Sequence, residues 1–205
     1  MAKKQATAGN HDISFKVVVI GDITTDKESL IYRFIDDEYN PDTSNVGTSF
    51  FRRNLEVGGR NIVMELYGLN GLKNYLSVNT MYYRGARGAM LVYDITNRDS
   101  FETAKFWLRH LGEHHDGAVV MLVGEKSDRE AWRAVATAEA EAFSQEEELH
   151  FTEASALEST NVHEAFLKLL SVMIEKDDRE DPSILPAPPT VEAGQCPRKK
   201  GCQVC

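Results

Sequence analysis

Short apolar runs with the composition of buried β-strands alternate along this chain with segments of helical periodicity. This alternation predicts a mostly parallel sheet with helices on both faces, because parallel strands need long crossovers that usually contain a helix. The predicted strands are FKVVVI (15–20), SFFRRNLEV (49–57), NIVMELY (61–67), GAMLVYDI (88–95), AVVMLVG (118–124) and LHFTEAS (149–155). The predicted helices cover residues 27–35, 100–113, 136–145 and 161–175, with a less regular helical segment at 72–84.

The second and third predicted strands are separated by Gly58-Gly59. A pair of glycines between two strands is a two-residue hairpin signal, so this pair is predicted to be antiparallel. The fold class that follows is α/β, with a six-stranded, mostly parallel sheet that contains one antiparallel strand.

The bulk composition favours one folded domain. The chain has 205 residues, 42% of them hydrophobic, which is enough for a single full core. We expect a flexible N-terminus at 1–12, a domain at 13–176 and a disordered tail at 177–205 that is rich in proline and charge. The net charge of −9 argues against nucleic-acid binding, since no basic stripe is present to neutralise phosphates. No apolar run approaches the roughly 18 residues of a membrane-spanning helix, and no signal peptide is evident, so a cytosolic protein is expected.

The stretch VVVIGDITTDKESLIYRF, residues 17–34, has the outline of a phosphate-binding loop. A strand-like run ends at Gly21, a short loop follows, and Lys27 opens an amphipathic helix. Asp26 stands where such a loop has its second glycine, and Glu28 stands where it has the hydroxyl that binds Mg²⁺. The outline therefore predicts either a nucleotide site or the remains of one.

Three later segments occur in the order and at the spacing typical of small GTPases: MYYRGARGAMLVYDITNRDSF (81–101), MLVGEKSD (121–128) and EASALESTNV (153–162). On these segments the chain resembles a Rab protein over residues 13–176, and ASALESTNV is most similar to the branch that serves recycling endosomes and the trans-Golgi network. The resemblance implies the P-loop fold of small GTPases, a role in membrane traffic, and GTP or GDP with Mg²⁺ as ligands.

The resemblance also assigns roles in the phosphate loop. In G-x-x-x-x-G-K-[ST] the backbone N–H groups curl around the β-phosphate, the lysine adds positive charge and the hydroxyl ligates Mg²⁺. Gly21 and Lys27 are retained here. Asp26 adds a negative charge beside the phosphates, and Glu28 is long enough to crowd the phosphate oxygens. The alternative for Lys27 is an ordinary solvent-facing lysine in the first turn of a helix.

The family element D-T-A-G-Q-E aligns with residues 68–73. Gly68 replaces the aspartate that supports the magnesium shell, and Leu72 replaces the glutamine that orients the attacking water. Gly71, whose N–H would meet the γ-phosphate, is retained. Asn45 replaces the threonine of the first switch and could reach a metal only weakly. The resemblance therefore implies that no catalytic residue remains.

Guanine recognition in the family uses N-K-x-D, which aligns with Glu125-Lys126-Ser127-Asp128. Lys126 and Asp128 are retained, whereas Glu125 presents an acceptor where a donor is needed. Ser155-Ala156, the segment whose backbone faces the guanine oxygen, is also retained. The alternative for Lys126 and Asp128 is that they cap and brace the loop after a strand.

Three aromatic residues, Phe50, Tyr67 and Tyr82, align with the patch through which Rab proteins face their effectors, although the middle residue is usually tryptophan. Aromatic residues at strand ends more often belong to a core, but the resemblance favours an interface with Rab effectors. His110 and His114 are four residues apart on a predicted helix without further ligands nearby, so we expect a solvated face and predict no metal site.

The segment Cys202-Gln-Val-Cys205 fits a prenylation motif, and the alternative is a zinc or redox C-x-x-C pair. Basic residues at 198–200 supply a second membrane signal. The resemblance implies Rab escort and prenylation machinery as partners. It also implies attachment through the prenyl tail to the cytoplasmic face of endosomes or the trans-Golgi, with a cytosolic pool.

Three hypotheses follow. The first is a Rab-like binding module whose nucleotide switch is largely broken. The second is an atypical GTP-binding switch that keeps some nucleotide through Lys27, Lys126 and Asp128 and hydrolyses it very slowly. The third is a diverged gene copy with little role, against which the intact apolar pattern and the cysteine-containing tail argue.

Overall fold

A computed structural model describes residues 13–40, 47–115 and 117–180. Its sheet has the strand order β2-β3-β1-β4-β5-β6, with β1 Ile13–Gly21, β2 Ser49–Val57, β3 Arg60–Gly68, β4 Gly88–Asp94, β5 Val119–Glu125 and β6 His150–Glu153. Strand β2 is antiparallel to β3, and the other neighbours are parallel. The predicted α/β fold, with a six-stranded sheet and one antiparallel strand, is confirmed.

The hairpin between β2 and β3 turns at the two glycines that predicted it. Gly58 has φ +60° and Gly59 has φ +74°. Both values lie in the left-handed region that a tight two-residue hairpin requires, which glycine adopts without strain. Val57 therefore pairs directly with Arg60 across the turn.

The helices of the described residues are α1 Lys27–Asp36, α2 Leu76–Tyr83, α3 Arg98–His114, α4 Thr137–Glu146 and α5 Val162–Glu180. The irregular segment predicted at 72–84 is a 3₁₀ turn at Lys73–Tyr75 followed by the short helix α2. The start of α3 is capped by Asn97, whose side chain accepts a hydrogen bond from the Asp99 N–H at 3.0 Å.

Strand β1 is buried on both faces of the sheet, as expected for a central parallel strand. Val17 and Val19 pack into one core cluster, which α1 and α5 cover. Val18 and Ile20 pack into the second cluster, which is covered by α3 and includes Trp107. The alternation of side chains along one strand thus connects both cores to the loop that follows Gly21.

Helix α5 ends at Glu180, four residues beyond the predicted domain boundary at 176. Residues 177–180, which the sequence had assigned to the tail, are therefore helical. Ion pairs explain the extension: Asp177 pairs with Arg87, and Asp178 Oδ1 lies 2.8 Å from Arg60 Nη1. The predictions for residues 1–12, Asn45, Cys202 and Cys205 lie outside the described residues.

His110 does not lie on a solvated face as predicted. Its Nδ1 atom is 3.2 Å from the hydroxyl oxygen of buried Tyr83, and its ring packs edge-on against Trp107 at 5.6 Å. His114, one turn later, is exposed. Within the described ranges, no helix is long and apolar enough to cross a membrane.

Candidate functional site

The retained motif residues lie at one edge of the sheet because the parallel strands end there together. Gly21 ends β1, Asp94 ends β4 and Glu125 ends β5, and Asp94 pairs in register with Glu125. Ser155 follows the end of β6. Open α/β sheets bind their ligands in the crevice outside the carboxyl ends of the strands. We therefore take this edge as the candidate functional site.

The loop after Gly21 keeps the shape of a phosphate loop through its own contacts. A Cβ atom on Gly21 would lie 2.2 Å from the carbonyl oxygen of Val92, so only glycine fits there. Thr25 Oγ1 donates to the carbonyl oxygen of Asp22 at 2.7 Å. Asp26 has φ 52° and ψ 27°, a left-handed conformation that glycine adopts freely and aspartate more readily than most residues. The substitution thus keeps a glycine-like backbone and adds a carboxylate.

Lys27 and Glu28 form a buried ion pair at the start of α1. The Lys27 side chain is fully buried, and its Nζ atom lies 3.5 Å from Glu28 Oε2. Burial lowers the pKa of Lys27 and raises the pKa of Glu28, and the attraction between the two groups opposes both shifts. The solvent-facing alternative for Lys27 is therefore wrong. Its ammonium group faces a carboxylate of its own chain.

Glu28 also lies beside Gly68, at the position where the family has aspartate. A Cβ atom on Gly68 would lie 3.5 Å from Glu28 Oε1, 3.2 Å from Ile31 Cδ1 and 2.3 Å from Ser49 Oγ. There is consequently little room for a side chain at position 68 unless these neighbours move. The Glu28 carboxylate therefore lies next to position 68, which itself carries no side chain.

The loop from Leu69 to Leu72 contacts the phosphate loop directly. The Leu69 N–H donates to the carbonyl oxygen of Val19 at 2.8 Å. A Cβ atom on Gly71 would lie only 2.0 Å from the carbonyl oxygen of Gly21, so the two backbones touch at this point. Leu72 is 41% exposed and offers no polar side-chain atom to the crevice.

Lys126 connects the loop after β5 to the phosphate loop. Its Nζ atom donates to the carbonyl oxygen of Thr24 at 2.9 Å and lies 2.7 Å from Asp94 Oδ2. Asp26 Oδ2 is 3.9 Å away from the same ammonium group. The residue has a left-handed backbone with φ 67°. Lys126 therefore braces two loops of the site.

Glu125 and Asp128 accept hydrogen bonds from the segment that follows β6. Glu125 Oε1 accepts from the Ala156 N–H at 3.1 Å, and Asp128 Oδ1 accepts from Ser155 Oγ at 2.6 Å. Glu125 is almost completely buried, and this burial raises the pKa of its carboxyl group to about 8. The carboxyl group is thus mainly protonated at neutral pH.

Two features of the site were not predicted from the sequence. The first is Tyr39. Burial and the nearby charges of Asp26 and Glu125 raise the pKa of its phenol, which places the side chain close to the site. Tyr39 follows an acidic, exposed run at 36–38 and has the sequence environment of a surface loop. The other feature is the contact of Lys126 with Asp94. The sequence could have indicated it, because the two residues follow or end neighbouring parallel strands.

The three aromatic residues of the predicted effector patch form one contiguous row. The rings of Phe50 and Tyr67 are 4.9 Å apart, and those of Tyr67 and Tyr82 are 5.6 Å apart. Phe50 is 54% exposed, whereas the two tyrosines are half-buried. The row is therefore attached to the core at one end and open to a partner at the other.

The described residues contain no group of three or more histidine, cysteine, aspartate or glutamate side chains arranged to hold a metal ion. Position 28 supplies a carboxylate that is already paired with Lys27, and position 68 supplies no side chain.

Comparisons with known proteins identify the family of the chain. The family model described as "Ras family" matches residues 16–175. The chain therefore belongs to the Ras family of small GTPases, and its relatives place it among the Rab proteins.

These relatives include the Ras-related protein RABA1e of Arabidopsis thaliana, which is 40% identical over 193 residues, covering 90% of this chain and 89% of that protein. The Ras-related protein Rab11E of Lotus japonicus is 39% identical over 187 residues, covering 86% of each chain. The Ras-related protein Rab11B of Nicotiana tabacum is 36% identical over 214 residues, covering 98% of this chain and 99% of that protein.

Proposed function

We propose that this Rab-family protein of membrane traffic acts as a binding module whose nucleotide site is largely disabled. One observation carries the proposal: groups that the family uses to hold nucleotide are paired with carboxyl groups of this chain. Lys27 pairs with Glu28, and the Ala156 N–H is bonded to Glu125. GTP and GDP with Mg²⁺ do not fit this arrangement.

On the phosphate side, the chain adds negative charge where the ligand is itself negative. Asp26 immediately precedes α1, and Glu28 lies against the ammonium group that would face the phosphates. A bound phosphate would have to displace the Glu28 carboxylate and leave it buried without its partner. Repelled or unpaired buried charges cost more than the roughly 1–3 kcal/mol of a neutral polar group, and every 1.4 kcal/mol weakens binding about tenfold.

On the base side, the N–H that would face the guanine oxygen is bonded to Glu125 Oε1 at 3.1 Å. Glu125 also replaces the family's asparagine and with it the amide donor. Guanine binding would therefore have to break the buried hydrogen bond between Ala156 and Glu125. It would also lack the hydrogen bond that the family's asparagine donates to the base. Asp128 and Lys126 are retained in a base site whose asparagine is replaced and whose Ala156 N–H is already bonded to Glu125.

Hydrolysis has even less support from the residues present. Phosphoryl transfer depends on positioning and on electrostatic stabilisation by the metal ion. Leu72 stands in place of the glutamine that orients water, and Gly68 in place of the aspartate of the magnesium shell. No residue of the described site replaces either group. We infer that GTP hydrolysis is absent or extremely slow.

The binding function is assigned to the aromatic row of Phe50, Tyr67 and Tyr82, with Rab effectors and Rab escort machinery as partners. Prenylation of Cys202 or Cys205 would attach the domain to the cytoplasmic face of endosomal or trans-Golgi membranes. The Rab11 and RABA relatives support this branch. A module of this type would hold partners or compete with nucleotide-dependent Rab proteins for them.

A second candidate function is an atypical switch with residual nucleotide binding and very slow turnover. Two observations favour it: Asp26 keeps the backbone conformation that glycine would adopt, and Asp128 keeps its contact with Ser155. A loop with the right shape and one intact base-reading residue retains part of a nucleotide site.

The nucleotide content of the purified full-length protein tests the proposal. The protein would be denatured and the released nucleotides separated and quantified by chromatography. We expect far less than one nucleotide per chain. The matched control is the variant Asp26→Gly, Glu28→Ser, Gly68→Asp, Glu125→Asn, which restores four family residues and is expected to retain GDP. Nearly stoichiometric GDP or GTP on the unmodified protein would overturn the proposal in favour of the atypical switch.

A further inference from the structure

Two buried asparagines connect the loop after β3 to helix α2. Asn79 lies within α2 and is fully buried, and Asn70 lies in the loop and is 3% exposed. Asn79 Nδ2 donates to the carbonyl oxygen of Asn70 at 2.9 Å. Asn70 Oδ1 accepts from the Leu72 N–H at 2.8 Å. The two side chains thus fix the loop and the first residues before the helix by separate hydrogen bonds.

An asparagine at position 79 does not give the domain the highest stability. Its Oδ1 atom is buried and has no hydrogen-bond partner among the described residues. A half-satisfied buried amide costs free energy, and an aliphatic side chain of similar size would avoid this cost. The amide instead contributes geometry, because its N–H group holds the Asn70 carbonyl oxygen at a hydrogen-bonding distance. Buried polar groups of this kind can specify one arrangement at the expense of stability.

The loop is held on its other side by the end of strand β1, where the phosphate loop begins. Leu69 donates to Val19, and Gly71 is in backbone contact with Gly21. Together with the asparagine contacts, these interactions hold residues 69–72 between β1 and α2. Each contact is made by atoms of this chain.

Helix α2 presents an apolar face to solvent next to the aromatic row. Val78 is 42% exposed and Met81 76%, and Tyr75, at the end of the 3₁₀ turn before α2, is 38% exposed. Such a face binds a partner best when it is ordered beforehand, because ordering a segment on binding lowers the affinity. The contacts of Asn70 and Asn79 set where this face lies.

We infer that Asn70 and Asn79 are positioning residues that hold α2, and with it Tyr82 of the effector-facing aromatic row, in one arrangement without a nucleotide. The inference deepens the proposed function and rests on it, because a module without a nucleotide switch needs another means to order this helix. A nucleotide that left the hydrogen bonds of Asn70 and Asn79 unchanged would leave the position of α2 unchanged.

Hydrogen exchange of the full-length protein, followed by mass spectrometry, tests the inference. The unmodified protein is measured in EDTA, and then with Mg²⁺ and either GDP or a non-hydrolysable GTP analogue. We expect peptides covering residues 69–83 to be protected in EDTA. Unprotected exchange of this segment in the otherwise folded, unmodified protein would overturn the inference.

Two variants remove the hydrogen bonds separately. Asn79→Leu keeps the branched shape in a larger apolar side chain and removes the donor, and Asn70→Ala removes the acceptor for Leu72 while leaving the backbone carbonyl. Each is expected to speed exchange of residues 69–83 about 5- to 30-fold, the range for losing one such interaction, while exchange elsewhere stays constant. Thr80→Val is the matched control, since it removes only the bond from Thr80 Oγ1 to the Leu76 carbonyl of the same helix.

The melting temperature separates positioning from ordinary stabilisation. Asn79→Leu removes the unpaired amide oxygen but also leaves the Asn70 carbonyl without its donor, so exchange over residues 69–83 should rise by more than the change in melting temperature accounts for. Exchange as slow as in the unmodified protein, in both variants, would overturn the inference. If one variant fails to fold, the other decides. If nucleotide increased the protection of the unmodified protein, the proposed function would be contradicted. The inference about Asn70 and Asn79 would still be judged separately, by comparing the variants with the unmodified protein in EDTA.

Discussion

Glu28 Oε1 lies 3.5 Å from the position that a Cβ atom on Gly68 would occupy. Two departures from the family pattern are therefore neighbours in space, although forty residues separate them in sequence. A carboxylate on residue 68 would lie beside that of Glu28 in a buried site. The glutamate at position 28 is thus compatible with the glycine at position 68 but not with the family's aspartate there.

This relationship predicts strong coupling between the two positions. Gly68→Asp alone should destabilise the domain by about 3 kcal/mol or more, because it adds a second buried carboxylate and forces Ser49 to move. With Glu28→Ser in the same chain the cost should be clearly smaller. Urea unfolding of the two single variants and the double variant measures the coupling as a double-mutant cycle. Additive costs would show that the residues do not interact.

The buried pair of Lys27 and Glu28 predicts a different pattern for loss of one partner and loss of both. Lys27→Met leaves the Glu28 carboxylate buried without its cation and should cost about 3–5 kcal/mol. Lys27→Met combined with Glu28→Leu removes both charges and should be close to neutral. Chemical denaturation of both variants provides the comparison. A double variant as unstable as the single one would contradict the role of the ion pair.

Glu125 predicts a pH dependence of stability. Its folded-state pKa of about 8 is above the ordinary value of 4.5. Between these values the unfolded chain loses the proton and the folded domain keeps it, so the free energy of unfolding decreases as pH rises and levels off above pH 8. At about 1.4 kcal/mol per pKa unit the decrease amounts to a few kcal/mol.

The control for this prediction is Glu125→Gln, which keeps an oxygen acceptor for the Ala156 N–H but carries no titrating group. Unfolding in urea at a series of pH values should show the unmodified protein losing stability relative to this variant from pH 5 to pH 8, roughly the window of the shift. Parallel profiles for the two proteins would mean that Glu125 is ionised in the folded domain.

The proposed lipid anchor is tested by substitutions at the C-terminus. Cys202→Ser combined with Cys205→Ser should abolish incorporation of prenyl groups and move the protein from membranes to the cytosol, because the basic residues at 198–200 contribute only about 1 kcal/mol each. Cys196→Ser is the matched control and should change neither property. Mass spectrometry and membrane flotation are the measurements. Unchanged membrane association of the double variant would exclude prenylation at these cysteines as the anchor.

Much of the fold could be predicted from the sequence because its signals are local. The apolar runs of the strands and the pair Gly58-Gly59 each act within a few residues, and each strand was found within two residues of its predicted bounds. The end of α5 was placed too early, because the ion pairs of Asp177 and Asp178 involve partners about 90 and 118 residues away.

The candidate site was less predictable because its contacts are made between distant segments. The burial of Lys27 has no local signal, since a lysine in the first turn of a helix is usually solvent-facing. Asn70 and Asn79 form a buried polar contact that no hydrophobic periodicity indicates. The resemblance identified which residues differ from the family, whereas the structure was needed to show that Glu28 and Glu125 contact the groups that remain.

A calorimetric titration of GDP with Mg²⁺ into the full-length protein tests the central claim most directly. The variant Asp26→Gly, Glu28→Ser, Gly68→Asp, Glu125→Asn serves as the positive control. The account predicts no saturable binding to the unmodified protein at ligand concentrations approaching about 1 mM, where a binding free energy of only about −4 kcal/mol would be detected. Saturable binding with a Kd in the micromolar range or tighter would contradict it.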